Sequence, residues 1–291
     1  MDYIGNIYRP PSEARSVLLQ ITTGCSHNQC TYCDMYRQKS FRVKPWEVVD
    51  RDIQEAAQLG PVTQKLFLCD GDALILPTPK LIRILERLSE CLPWIKRVGV
   101  YGDTRSVGRK SLQELKELNA AGLGIIYHGV ESGDDAVLER IVKGGTRQEC
   151  IQTAQKLRDA NIIHSVIVLL GIGGIELSAQ HASNTASLLS AMDPPFVGAL
   201  TTTVVPNTPL FEQQASGEFT LPEKFELLDE LRVLVAESEF TNCRFSSNHA
   251  SNYLPLRSTL PQDKEELLSI LDKVLEQRDE RLLKPESLRG L

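Results

Sequence analysis

Short apolar runs alternate with stretches of helical period along most of the chain. Residues 17–22 (VLLQIT) are apolar and β-branched and stop before Gly24, so they read as a strand feeding a loop. Residues 45–60 follow, with Pro45 at a first helical turn and Gly60 as the stop. Strand 65–70 then runs into a Gly71-Asp72 turn and a helix over 79–92, and strand 97–101 leads to a helix over 111–124. In that helix Ser111 is the N-cap and Glu114 stands in the capping-box position. Strand 124–130, helices 134–142 and 146–160, strand 162–170, helix 178–192 and strand 196–205 continue the alternation.

Six such strand–helix repeats imply a parallel sheet with right-handed crossovers. An open doubly wound sheet and a barrel both place functional residues at the carboxyl ends of the strands. Polar or glycine-rich residues follow five of these strands: 25–33, 70–72, 101–104, 131–133 and 171–176. Convergence from five strands favours an α/β fold with a partial, TIM-like (β/α)6 barrel and one central site. The predicted layout is a short N-terminal segment (1–15), a barrel core (16–205) and a mainly helical C-terminal extension (206–291) packed on it. Within that extension, helices are expected over 222–237 and 261–283, around an irregular stretch at 245–256 (FSSNHASNYLPL).

Composition narrows the class. The chain has 291 residues, 42% hydrophobic and 24% charged, which fits a globular protein and excludes a disordered or collagen-like one. The net charge of −6 removes a whole-domain basic footprint, although a local basic groove is still compatible with it. Nucleic acid is therefore not an expected partner. The start shows no basic segment followed by an apolar stretch, and the longest nearly apolar run, 166–175, is about half a bilayer span. A soluble cytoplasmic protein, away from membranes, is expected.

Three of the seven cysteines carry the chemistry. Cys25, Cys30 and Cys33 stand as C-x4-C-x2-C, while Cys69, Cys91, Cys150 and Cys243 are isolated. Soft thiolates suit zinc or an iron–sulfur cluster, and a closed structural zinc site wants a fourth ligand that no second C-x2-C pair supplies. Three ligands on a four-iron cluster would leave one iron open for a small molecule.

With this loop after the first strand, and with Tyr32 before the last cysteine, the chain resembles the radical S-adenosylmethionine (SAM) superfamily. The family's commonest spacing is C-x3-C-x2-C, one residue shorter than here. Asp70-Gly71-Asp72 stands where the family has a Gly-Gly-Glu-like turn for the SAM amino group. Gly129-Val130-Glu131-Ser132-Gly133, followed by Lys143-Gly144-Gly145-Thr146, resembles the coproporphyrinogen oxidase-like, methylthiotransferase and Elongator-type subgroup. Gly171-Ile172-Gly173-Gly174 resembles the glycine-rich segment whose backbone passes the adenine.

The resemblance implies a [4Fe-4S] cluster on Cys25, Cys30 and Cys33, and SAM held by Asp70, Gly71, Asp72, Thr104, Glu131, Ser132, Lys143, Gly171, Gly173 and Gly174. It further implies reductive cleavage of SAM to a 5′-deoxyadenosyl radical, with a reductant such as flavodoxin or ferredoxin as partner. Ile126, Val168 and Leu170 would give a radical an apolar lining. His128, Glu131, His249 and Tyr253 are the candidate catalytic residues, with Asn248 and Asn252 beside the last two in a segment that could cover the site.

Each of these has a plainer structural reading. Asp70 and Asp72 could be turn formers, Glu131 could pair with Lys143 or Arg105, the glycines could permit close packing, and 245–256 could be a buried polar turn. His27 is expected near the cluster without ligating it, and His164 and His181 are expected to be structural. No cobalamin module is expected before the barrel, no RNA module after it, and no second cluster, which leaves a small-molecule substrate as the expectation. A haem- or cofactor-binding chaperone with this fold, or a zinc-binding interaction protein, are the alternatives.

Overall fold

The computed structural model describes residues 1–290. In chain order the elements are β1 (Val17–Gln20), β2 (Thr22–Thr23), β3 (Arg42–Val43), α1 (Trp46–Gln58), β4 (Lys65–Cys69), α2 (Thr78–Cys91), β5 (Arg97–Tyr101), α3 (Thr104–Gly108), α4 (Leu112–Ala120) and β6 (Leu123–Glu131). Then come α5 (Asp135–Arg140), α6 (Arg147–Asp159), β7 (Ile163–Leu170), α7 (Gly174–Met192), β8 (Phe196–Thr201), α8 (Pro209–Ser216), α9 (Lys224–Glu237), β9 (Cys243–Ser246), β10 (Arg257–Leu260) and α10 (Lys264–Gln277). The expected α/β alternation is present. The chain divides into two compact units: the first holds Met1–Asn28, Cys33–His128 and Gln155–His164, the second Gln29–Tyr32, Gly129–Ala154 and the chain from Ser165 onward.

In the first unit β1, β4, β5 and β6 pair in parallel in that order, with Val17 opposite Leu66 and Lys65 opposite Arg97. After its first residue β4 is buried throughout, as a parallel strand covered on both faces must be. The helices earn their place by spacing: Leu81, Ile84, Leu85 and Leu88 of α2 fall at helical period on one buried face. Burying each such side chain contributes roughly 1.5–3 kcal/mol. Residues 17–22 do not form one strand. Ile21 interrupts the run, and Thr22 and Thr23 pair antiparallel with Val43 and Arg42, which closes a long loop on the cysteines.

In the second unit β7 and β8 pair in parallel, with Val166 opposite Val197. The C-terminal extension is mainly helical, as expected, and it also carries two short strands. β9 adds to β8 in parallel, with Val197 opposite Phe245, and β10 pairs antiparallel with β9. These strands are four residues each and largely polar in sequence, so they carry no periodic signal. α9 and α10 close the core with Leu227, Leu228, Leu231 and Leu234 against Leu267 and Leu271. Helix α7 begins at Gly174, earlier than its hydrophobic pattern suggested, and α8 was not anticipated. Among the described residues no helix is long and apolar enough to cross a membrane.

Candidate active site

Cys25, Cys30 and Cys33 form no disulfide and are each half-buried, on the loop that β2 and β3 enclose. In the first unit, Gly24 (φ +71°) turns the chain into Cys25, and a Cβ there would come within 2.7 Å of the Lys39 carbonyl. Asn28 donates to the Tyr36 carbonyl at 2.9 Å, and Arg37 Nε to the Cys33 carbonyl at 2.8 Å. In the second unit the Thr31 amide donates to Ile141 and its carbonyl accepts from Leu210, both at 3.0 Å. Backbone contacts thus fix the loop on either side of Cys30. Among the described residues no three His, Cys, Asp or Glu side chains gather closely enough to hold a single metal ion. The assignment of the three cysteines rests on their spacing and chemistry.

The Asp70-Gly71-Asp72 turn packs on this loop. Asp70 Oδ2 accepts from the Gly24 amide at 3.0 Å, from Gln20 at 2.9 Å and from Lys39 at 3.3 Å, while its Oδ1 is buried without a partner. Burial raises its pKa against these three donors. A side chain at Gly71 would strike the Tyr36 ring at 2.5 Å and stand 3.1 Å from Cys25 Cβ, so only glycine lets the turn lie this close to the cysteine. Asp72 Oδ2 accepts from the Ser26 hydroxyl, next to Cys25, and its Oδ1 is buried and orphaned. The Ser106 hydroxyl, which donates to the Asp103 carbonyl at 3.0 Å, and the Ser26 hydroxyl both favour the ionised form of Asp72. Burial, then repulsion from Asp103, pushes Asp72 up to about 7. A buried carboxylate oxygen with no donor costs free energy unless something supplies one. A ligand ammonium would do so.

Thr104 opens α3, just after its N-cap Asp103. Its hydroxyl lies 2.9 Å from His128 Nε2, and His128 Nδ1 lies 3.1 Å from His164 Nε2, with the two rings stacked. His128 therefore sits inside a buried chain of side chains. His164, expected to be merely structural, is its inner end: its Nδ1 has no partner, and burial and His128 push its pKa well below the usual range. Arg105 pairs with Asp103 and donates through Nη1 to His27 Nδ1 at 2.7 Å. That contact requires His27 to be unprotonated at Nδ1.

In the second unit Glu131 does pair with Lys143, at 2.8 Å. The same carboxylate oxygen accepts from the Tyr32 hydroxyl at 2.9 Å, which ties the ion pair to the cysteine loop. Burial alone would lower the Lys143 pKa, but Glu131, Tyr32 and Cys30 beside it hold it well above its usual value. A Cβ at Gly129 would fall 2.3 Å from Glu131 Oε1, and one at Gly133 would fall 2.3 Å from the Asn184 carbonyl. Both glycines of the motif thus have packing reasons. Ser132 is wholly buried and bonded to His181 at 2.8 Å. His181 donates through Nε2 to the Leu169 carbonyl at 3.0 Å, and burial lowers its pKa to about 4, so it is neutral and structural.

The turn at 171–174 also has a structural logic. Gly171 (φ +81°) and Gly174 (φ +66°) occupy the left-handed region, and a Cβ at Gly171 would meet Leu227 at 2.5 Å. A Cβ at Gly173 would meet His181 Cβ at 3.0 Å. Glu230 of α9 accepts from the Gly171 amide at 2.6 Å and from Ser178 at 2.7 Å, and burial raises it to about 7. Sequence reading missed Glu230, because an acid on an amphipathic helix looks like solvent-facing surface.

The segment 245–256 satisfies its own polar groups. Asn252 bonds Ala199 and Thr201 of β8 at 2.9 and 2.8 Å, His249 Nδ1 lies 2.9 Å from Ser251 Oγ, and Arg257 faces Asn248. The Tyr253 hydroxyl donates to Glu286 at 2.7 Å and accepts from Arg289 at 2.6 Å, with the guanidinium 4.2 Å from its ring centre. His249 and Tyr253 are thus engaged in local packing. Ile126 belongs to the core of the first unit, Val168 and Leu170 to that of the second.

The profile of the radical SAM superfamily matches residues 19–183. Among curated proteins the chain is similar to the biotin synthase of Methylibium petroleiphilum, 25% identical over 62% of this chain and 52% of that one. It therefore spans about half of that relative. Among solved structures it is similar to the radical SAM methyltransferase TsrM from Kitasatospora setae with tryptophan and a SAM analogue (TM-score 0.57, 19% identity, 70% of this chain and 40% of that one). It is also similar to coproporphyrinogen III oxidase from Escherichia coli (TM-score 0.56, 17% identity, 77% and 53%). These likenesses show the fold.

Proposed function

The chain belongs to the radical SAM superfamily, and on that premise we propose that it reductively cleaves SAM and abstracts hydrogen from a small-molecule substrate. Proteins of this family use a [4Fe-4S] cluster held by three cysteines, together with SAM. The donor set fits: three half-buried cysteines outside any disulfide, a turn that only glycine lets approach Cys25, and an orphaned buried carboxylate oxygen beside it. When bound, cluster and SAM supply a one-electron cleavage that yields methionine and a 5′-deoxyadenosyl radical.

The residues bind and orient. Cys25, Cys30 and Cys33 would hold the cluster, and Asp72 would accept from the SAM ammonium, with Asp70 and Gly71 shaping the turn. The ligand's positive charge would draw Asp72, now near 7, toward its ionised form. In the first unit Thr104, and in the second Glu131, Lys143 and the backbone at Gly171, Gly173 and Gly174, would be further SAM-binding groups, with Ser132 bracing the Glu131 turn. His128 orients the Thr104 hydroxyl. Such a cluster suits a reducing compartment such as the cytoplasm. The likeness to biotin synthases supports the chemistry and leaves the substrate open.

The observation that carries this reading is the contact of Asp72 with Ser26, which joins a ligand-seeking carboxylate to the cysteine loop. Its test is metal analysis after anaerobic reconstitution. About four irons and four sulfides per chain are expected; zinc without sulfide would replace the reading with that of a zinc-binding protein.

A further inference from the structure

The segment after the last cysteine, in the first unit, forms an unusual surface for an acidic chain. Met35, Phe41 and Val43 are exposed, and so is Arg42. Arg42 and Val43 make up β3, whose partners Thr23 and Thr22 lead through Gly24 into Cys25. A Cβ at Gly24 would lie 3.2 Å from the Phe41 nitrogen, so this strand touches the residue preceding the first cysteine. Beside it a shallow cleft is lined by Val43, Trp46, Leu76, Lys80 and Arg83, with Lys44, which pairs with Asp52 and lies 3.8 Å from Asp2. Lys44 is consumed by Asp52 at 3.0 Å, whereas Lys80 and Arg83 on α2 are exposed, and Arg83 lies over the Trp46 ring at 3.7 Å. Asp34, Glu47 and Glu86 are the exposed acids close by in sequence. An apolar centre with aromatic and arginine side chains and a cationic edge is the make-up of a protein-docking surface. In a chain of net charge −6 it selects for acidic partners.

We propose that Phe41, Arg42, Val43, Trp46, Lys80 and Arg83 form the docking surface for an acidic one-electron carrier protein, which delivers its electron to the cluster loop. This rests on the radical SAM reading and adds to it where the reductant binds. The step is a single electron transfer: the carrier is oxidised by one electron, the cluster is reduced by one, and no bond is made or broken. A small, steered interface suits a partner that must leave after each delivery.

The test uses cluster-loaded full chain and a flavodoxin hydroquinone as the probe. The charge reversals R42E, K80E and R83E are combined, and K116E with K273E, exposed cations elsewhere, is the control. The triple variant should accept electrons from flavodoxin about tenfold more slowly or worse at low salt, with a flattened salt dependence. The control and the extent of reduction by excess dithionite should not change. Equal flavodoxin rates in wild type and triple variant would overturn the proposal, as would an equal slowing in the control. Loss of dithionite reduction in the triple variant would also overturn it, because the surface would then be holding the loop. If dithionite reduces the wild-type cluster but SAM is not cleaved, the radical reading fails while the flavodoxin rates still decide the docking.

Discussion

The Tyr32 hydroxyl, one residue before the last cysteine, donates to Glu131 Oε1 at 2.9 Å, on the oxygen that Lys143 also reaches at 2.8 Å. Within the second unit, the segment Gln29–Tyr32 is thus held through a side chain as well as through the Thr31 backbone. Tyr32→Phe removes one hydrogen bond to a charged group, worth roughly 1.5–3 kcal/mol. Lys143→Met should cost more, up to roughly 3–5 kcal/mol, because it leaves Glu131 buried with its charge uncompensated. Denaturant midpoints should rank wild type above Tyr32→Phe and Tyr32→Phe above Lys143→Met, and iron retained after reconstitution should follow the same order. Equal midpoints for the two variants would show that the ion pair does not support the loop.

Asp72 makes a pH-dependent difference whose sign follows from its raised pKa, about 7. The folded chain keeps this proton over a range where the unfolded chain has lost it. Its contribution to stability is therefore present at low pH and is lost as pH rises from about 4 to about 7. Asp72→Asn lacks that loss, so its stability should gain on wild type by at most about 1.4 kcal/mol per pH unit over that range. His181, at about 4, and His164, well below its usual value, act with the opposite sign below about pH 6.5, so the difference between variant and wild type isolates Asp72. Thermal unfolding of the cluster-free chain between pH 5 and 7.5 checks it; parallel curves would mean that Asp72 ionises as in the unfolded chain.

What could be read from the residues and what could not divides along physical lines. The cysteine spacing, the strand ends that bear polar residues and the capping box at Ser111 are local, and they stand in the structure as read. The motif glycines were legible as positions but not as causes. Gly129 and Gly133 are small because Glu131 and the Asn184 carbonyl lie where a Cβ would go, which is a tertiary fact. The partners of Tyr253, Glu286 and Arg289, lie more than thirty residues away along the chain, so no local pattern announces them. Glu230 and the His128–His164 contact were hidden for the same reason: burial of a polar side chain on a regular element leaves no periodic trace.

Glycine substitutions separate backbone clashes from adjustable ones. Gly133→Ala meets the Asn184 carbonyl at 2.3 Å and Thr185 Cα at 2.6 Å, both backbone, and should destabilise by about 1–3 kcal/mol. Gly71→Ala meets the Tyr36 ring and Cys25 Cβ, so its main effect should be on cluster assembly, with iron per chain falling further than stability does. Denaturation curves and iron analysis of both variants check the contrast. Full iron content in Gly71→Ala would show that the turn does not set the position of Cys25.

The central claim is SAM cleavage by a cluster on Cys25, Cys30 and Cys33. Anaerobically reconstituted protein given SAM and a strong reductant should release 5′-deoxyadenosine and methionine in equal amounts, and Cys30→Ala should release none. No release from wild type above the Cys30→Ala control, at full iron loading, would contradict the account.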